Sequence, residues 1–406
     1  MSDGNKEQIL FKFENKQALD SALLELCRVA PKNDPEMWTK LELLQDGGRL
    51  SLTVADGDLF MRISLESEGD AASVTVDPFE LKRIIKKLPK KWTLAGAKAE
   101  EGLSCKAGKR ASFVVEGTED LYFEPGAATV WEEAQDFPRF NEAMKKVFFS
   151  ASDEETRYYL NGVFLERSGV RLSCTATDGH RLSRFSQLFE VTTNSDDVSV
   201  IIPSSLVDAA QRLAKRYKDK KVSYALSKDS RRIRFIGSCW EVSSSLVDGS
   251  FPDYKQVIPN SEDSAVSFVF NRKELIEALD MAAVCSPEKT GGVRWTYDPS
   301  RYASGLILTS KTTGVSSFEN KLKAEDIKES LSFMYESKED ENDFILDDDR
   351  FFEAGFNAKY WLEALKVSDC DSIRIYFSNA LTPALMCPCS EVQGVSEEYV
   401  IMPMRL

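Results

Sequence analysis

Histidine is almost absent: His180 is the one imidazole in a chain of 406 residues. A lone imidazole excludes a two-histidine metal pair, and no glycine-flanked serine elbow is present to make it part of a triad. Cysteine is scarce and scattered, at Cys27, Cys105, Cys174, Cys239, Cys285, Cys370, Cys387 and Cys389. Most of these sit in apolar strand or helix patterns, where a free thiol behaves as a small hydrophobe. Cys387-Pro388-Cys389 is too tight for half a zinc finger, and no second pair follows at the usual spacing. All eight read as reduced thiols. No apolar run nears the roughly 20 residues that a membrane span needs. The opening Met1-Ser2-Asp3-Gly4-Asn5-Lys6 lacks the apolar core of a signal peptide. A cytoplasmic chain with no membrane contact is therefore expected, and nothing in the sequence calls for a cofactor.

What is present is an ordinary globular composition, 42% hydrophobic and 29% charged. The length allows two to four domains. The net charge of −14 argues, taken alone, against a polyanion partner.

One pattern occurs three times. A strand ending at Phe13 enters a helix from about Asn15 to Arg28, with Leu19, Leu23, Leu24 and Cys27 on one face. A meander follows through Gly47-Gly48 and Asp56-Gly57, and strand Val74-Thr75-Val76 enters a helix from Pro78 to about Leu88. The second copy has a helix over 139–147, turns at Ser168-Gly169 and Asp178-Gly179, then strand 198–202 entering helix 204–217. The third has Phe268-Val269-Phe270 entering helix 272–284, turns at Ser304-Gly305 and Thr313-Gly314, then strand 352–356 entering helix 357–366. Gly57, Gly179 and Gly314 are 122 and 135 residues apart. A period this long indicates three copies of one α+β domain rather than a solenoid. The expected boundaries are 1–128, 129–262 and 263–406.

Charge is segregated over this repeat. Segment 80–91 sets Lys82, Arg83, Lys86, Lys87, Lys90 and Lys91 against Glu80, a net +5. Segment 204–221 sets Arg212, Lys215, Arg216, Lys218, Lys220 and Lys221 against Asp208 and Asp219, a net +4. The six predicted helices together carry +10, leaving −24 on the remainder. Such a division suits a basic surface that holds phosphates without reading bases. A rival reading makes Asp347-Asp348-Asp349, with Glu341 and Asp343, the metal site of a nuclease or phosphotransferase. That run looks like a solvated acidic loop, and no nucleophile, Walker loop or paired acid motif accompanies it. A second rival is a scaffold that never meets DNA.

The histidine lies in Ala176-Thr177-Asp178-Gly179-His180-Arg181-Leu182, where Asp178-Gly179 reads as a tight turn between two strands. This stretch, with Arg157-Tyr158-Tyr159-Leu160-Asn161-Gly162, Leu246-Val247-Asp248-Gly249, Phe251-Pro252-Asp253-Tyr254 and the ending Tyr399 to Leu406, resembles the bacterial sliding clamps, the β subunits of DNA polymerase III. The resemblance spans all three repeats. It implies three domains of the DNA-clamp fold, helices lining an inner face and sheets outside, in a ring-forming head-to-tail homodimer without catalytic residues. Twelve helices about 10 Å across would enclose a circle about 38 Å wide through their axes. A ring stays on double-stranded DNA by topology and slides on weak, sequence-independent contacts.

The resemblance also implies a hydrophobic groove for short peptides of the replicative polymerase, the clamp loader, and repair and translesion polymerases. The matching positions are Leu160, Thr177, Gly179, His180, Arg181, Leu182, Pro252, Val257, Leu381, Pro383, Val400, Met402, Pro403, Met404, Arg405 and Leu406. Leu, Val, Met and Pro make an adaptable apolar slot, with His180 and Arg181 as its polar rim. Arg157, Tyr158 and Tyr159 match a loop that reaches DNA, where tyrosines can stack on bases. Lys82, Lys86, Lys87, Arg212, Lys215 and Arg216 fall on the basic helices that would face the duplex. Phe113 and Val115 on an edge strand would face Val284 and Cys285 of a second copy. The chain departs from the family at Pro31-Lys32-Asn33-Asp34-Pro35, where an acid enters a basic loop, and at Ser204, Ser205 and Gln256.

Overall fold

The computed structural model describes residues 9–14, 16–30, 40–100, 102–118, 129–189, 197–287, 291–312, 316–329, 352–390 and 392–405. The Pro31–Pro35 loop, the Thr313-Gly314 turn, the Glu341–Asp349 acidic run and Leu406 lie outside these residues. The fold is α+β. Among the described residues its helices are α1 (Gln17–Val29), α2 (Pro78–Lys87), α3 (Phe140–Val147), α4 (Ser204–Tyr217), α5 (Arg272–Val284), the one-turn α6 (Pro299–Tyr302) and α7 (Ala358–Val367).

Local chemistry sets their ends. Asp77 accepts hydrogen bonds from the Phe79 and Glu80 amides and Pro78 opens α2. That helix stops at Lys87 because Leu88 precedes Pro89 and turns extended. The basic segment expected through residue 91 therefore leaves Lys90 and Lys91 off the helix. Helix α4 ends at Tyr217: Lys218 takes φ +56°, and the Asp219 amide bonds back to the Ala214 carbonyl. Lys218, Lys220 and Lys221 thus follow the helix rather than ride on it. Asn271 and Asn357 cap α5 and α7 through their side chains.

The sheet order repeats three times. Strands Ala72–Val76, Leu41–Asp46, Arg49–Asp56 and Leu59–Glu66 lie side by side, and α2 follows the first of them. Strands Val198–Pro203, Gly162–Ser168, Arg171–Thr177 and Arg181–Leu188 repeat the order, with α4 following. Strands Phe352–Asn357, Gly292–Tyr297, Gly305–Thr312 and Ser316–Lys323 repeat it again, with α7 following. The outer meander strand is an edge that can recruit another strand. Leu59–Glu66 pairs with Trp240–Ser245, and Arg181–Leu188 pairs with Val395–Ile401, both antiparallel.

These pairings cut across the repeat. The chain divides into two compact units, Met1–Asn141 with Ser205–Leu246, and Glu142–Ser204 with Val247–Leu406. The first holds a 12-stranded sheet, and the second holds sheets of nine and four strands. In the first unit Leu19, Leu23 and Leu26 of α1 and Leu81 and Ile85 of α2 are buried. The Lys16 ammonium, also buried, donates to the Ile85 and Lys86 carbonyls, closing the C-terminal end of α2 with a cation. The second unit packs Phe268, Phe270, Trp295, Phe356, Trp361 and Phe377 into its main core. All eight cysteines are free. Among the described residues no helix is long and apolar enough to cross a membrane.

Candidate functional site

The strongest candidate lies in the second unit. Strand Ala384–Pro388 pairs with Val395–Ile401, which pairs with Arg181–Leu188. The register sets Leu182 opposite Val400 and Val400 opposite Leu385. Three apolar side chains thus form a row across strands about 4.8 Å apart. With Tyr254 they make a buried cluster of their own, and Phe164, Phe251, Ile258, Tyr376 and Cys387 pack against it. Their strand neighbours Tyr399 and Ile401 belong to the main core instead. The last strand is therefore two-faced, as period-two alternation demands.

Aromatic packing builds one side of this floor. Phe164 and Phe251 stack at 4.6 Å between centroids, and Tyr254 meets both edge-on. The Tyr254 hydroxyl donates to Glu166, whose carboxylate also accepts from Lys255 at 3.2 Å. Burial and the Glu166 bond push the phenol up to about 12. Close by in sequence, three apolar side chains are left in solvent: Val257, Leu381 and Met402 are 42%, 86% and 37% exposed. Asn379 holds the Leu381 loop by accepting from the Leu381 and Thr382 amides. The tail is pinned twice, Met402 N to His180 O at 2.9 Å and Met404 N to Gly355 O at 2.8 Å.

The histidine loop is wider than a two-residue turn. Thr177 pairs with Leu182, so Asp178 to Arg181 form the loop. Asp178 accepts from the His180 and Arg181 amides and from Arg181 Nε, and Gly179 takes φ +88°. His180 is exposed, its ring parallel to that of Tyr360 at 6.3 Å. Arg181, expected on the polar rim, is largely engaged inside the protein. Its side chain is 10% exposed, bonds to Asp178, Glu363 and the Phe149 carbonyl, and lies over the Tyr360 ring at 4.7 Å. It is an internal strut that ties the loop to α7. The other expected positions divide by depth. Leu160 and Thr177 are buried, Pro383, Pro403 and Met404 half-buried, and Pro252 and Arg405 exposed. Phe164, Phe251, Tyr254 and Leu385 complete the floor and were not among the expected groove residues. Phe251 and Tyr254 lie in the quoted Phe251–Tyr254 motif, while Phe164 and Leu385 become visible only through sheet register.

The expected DNA contacts also divide. Arg157, Tyr158 and Tyr159 occupy a 3-10 segment, Glu155–Leu160, where Tyr158 is 54% exposed and Arg157 pairs with Glu154 at 3.3 Å. Lys86, Lys87 and Lys215 are exposed and Lys82 is half-buried. Arg212 and Arg216 are not free cations: both donate through Nε to the buried Glu25 carboxylate. At the expected subunit contact, Val115 is buried within its own unit and Phe113 is half-buried. Alternation turns the neighbouring Val114 outward instead, at 56% exposure. Val284 is 83% exposed at the end of α5, with Met281 beside it at 49%, and Cys285 is half-buried. Among the described residues no group of three or more His, Cys, Asp or Glu could hold a metal.

An apolar floor with a pinned tail has the chemistry to seat a short apolar chain segment. Comparison with known proteins supplies the family. Models of the central and C-terminal domains of the DNA polymerase III β subunit match residues 136–253 and 334–405. The β sliding clamp of Pseudomonas putida is 30% identical over 371 residues, covering 90% of this chain and 91% of its own. That of Rickettsia bellii is 28% identical over 388 residues, covering 93% and 94%. A crystal structure of the Pseudomonas aeruginosa DNA polymerase III β subunit aligns with a TM-score of 0.82 at 25% identity, covering 98% of this chain and all of that one. A second structure of that organism's clamp, bound to griselimycin, gives 0.83 at 25% identity over the same shares. Fold and site together define a DNA clamp. This chain belongs to the β sliding clamp family. It is a processivity factor of DNA replication, not an enzyme.

Proposed function

We propose that two copies of this chain close head to tail into a ring around double-stranded DNA, each copy contributing domains 1–128, 129–262 and 263–406. One observation carries this reading. The outer meander strand of the first two repeats recruits a strand from the next repeat, while the equivalent third strand, Ser316–Lys323, ends its sheet among the described residues. The strand equivalent to that neighbour is Ala111–Thr118, which among the described residues pairs with Gly102–Ala107 and, on its other side, through Gly117 and Thr118 alone. A second copy would supply that strand. Val114, Val284 and Met281 are the exposed apolar side chains available to such a junction.

In this reading the helices face the duplex and hold it weakly through Lys82, Lys86, Lys87, Lys215, Arg212 and Arg216, with Arg157, Tyr158 and Tyr159 as a further contact. The Leu182–Val400–Leu385 slot takes short apolar peptides of the replicative polymerase, the clamp loader, and repair and translesion polymerases. The workplace is the cytoplasm.

The test is retention on DNA. Protein placed on nicked circular plasmid by a clamp loader is isolated by gel filtration, and half is linearised. Retention on the circle with loss from the linear form is expected. Equal retention on both would replace the topological link with ordinary contact binding.

A further inference from the structure

Glu25 is a buried carboxylate on α1, with a side chain 2% exposed. It accepts from Arg212 Nε at 3.2 Å and Arg216 Nε at 2.7 Å, and Arg28 Nη1 stands 3.5 Å away. Arg212 also pairs with Asp208, whose side chain is 54% exposed. Three guanidiniums thus share two carboxylates. Arg212 and Arg216 are one turn apart on α4, a spacing at which like charges repel. Glu25 is equally dependent on them, because a buried carboxylate without a partner is costly.

We propose that Glu25 is an attenuator of the charge that α4 offers to DNA. It holds Arg212 and Arg216 by their Nε edges and cancels part of their charge, so that a lysine- and arginine-rich helix grips phosphate only weakly. The need for such a device follows from sliding. Each phosphate neutralised adds about 0.9 to the salt slope of binding, and a lining that neutralised many phosphates would hold the ring still. The inference rests on the reading that α4 faces DNA. It adds a positioning residue that touches no DNA itself.

The test uses the full-length protein and a labelled duplex, with affinity followed by fluorescence anisotropy between about 50 and 200 mM salt. Glu25→Gln should bind more tightly at low salt. With one more phosphate engaged, its affinity should fall about 3.5-fold more than that of the wild type across that range. Asp208→Asn, at an exposed carboxylate on the same arginine, should move in the same direction, and it decides alone if Glu25→Gln fails to fold. The double variant Arg212→Gln/Arg216→Gln should bind more weakly with a shallower slope. If the double variant weakens binding while the carboxylate variants run parallel to wild type, the attenuator is refuted and the DNA-facing reading survives. If the double variant changes nothing, α4 does not face DNA and both readings fall.

Discussion

Leu381 keeps 86% of its side chain in water, four residues before the buried Leu385. An exposed leucine contributes little to folding, and under the proposed reading Leu381 covers a partner peptide. Leu381→Ala and Val257→Ala should leave stability within about 0.5 kcal/mol of wild type. The pair should still weaken binding of a short peptide with two apolar anchors by about tenfold, a loss of about 1.4 kcal/mol. Peptide anisotropy alongside thermal melting measures both, and unchanged binding would remove the slot as a docking site. A different residue-level effect operates at Asp369. Its bond from Lys145 at 2.9 Å holds the carboxyl below the ordinary aspartate range, with Lys146 nearby adding to it. A depressed folded pKa means fewer protons bound when folded. The stability it contributes is complete above the unfolded value of about 3.9 and is lost as pH falls through the folded one. The melting-temperature gap between wild type and Asp369→Asn should therefore narrow as pH is lowered from about 5 to 2. A constant gap would show that the pair does not titrate with folding.

At the scale of elements, edge strands do the organising. Ala111–Thr118 presents Val114 to solvent and, among the described residues, leaves most of one edge without a partner strand, while Phe113 lies half-buried on the opposite face. Phe113→Arg sets a cation on that face and should yield monomers by light scattering at micromolar concentration. A persistent dimer would reject this strand as the junction. The helices teach a related lesson. Of the apolar stripes read from the sequence, Leu19, Leu23, Leu81, Ile85, Leu206 and Leu213 are buried, while Leu24, Ile84, Leu88 and Tyr217 are half-buried. The helix ends were less plain. Pro89 before a run of lysines stops α2, and a left-handed Lys218 stops α4, so the charge expected on helices partly follows them. Charge counting cannot detect this, because it ignores backbone geometry.

At the scale of the whole molecule, two strand junctions built on one pattern and a third edge unpaired among the described residues support the proposed ring closure. Topological retention has a signature that contact binding lacks. Protein on a closed circle should survive a rise from about 50 to 200 mM salt that strips a contact-bound protein by orders of magnitude. This check extends the circle-and-linear comparison and uses the same isolated complex.

Much of this could be read from residues alone. The turn pairs, the alternating strands and the helical stripes are local, and local periodicity reports local structure. They determined the α+β class, the threefold repeat and the segregation of basic charge, and the motifs around His180 and Phe251 pointed to the family. What the sequence could not decide depends on residues far apart in the chain. Arg181 became a strut because Glu363 lies against it from 182 positions away. Arg212 and Arg216 are both tied to Glu25, 187 and 191 positions earlier. The strand 395–401 turned Val400 toward a slot and Tyr399 and Ile401 into a core because two further strands fixed its register. Pattern proposes which residues are apolar or charged. Only packing decides which of them are spent on the fold and which remain for a partner.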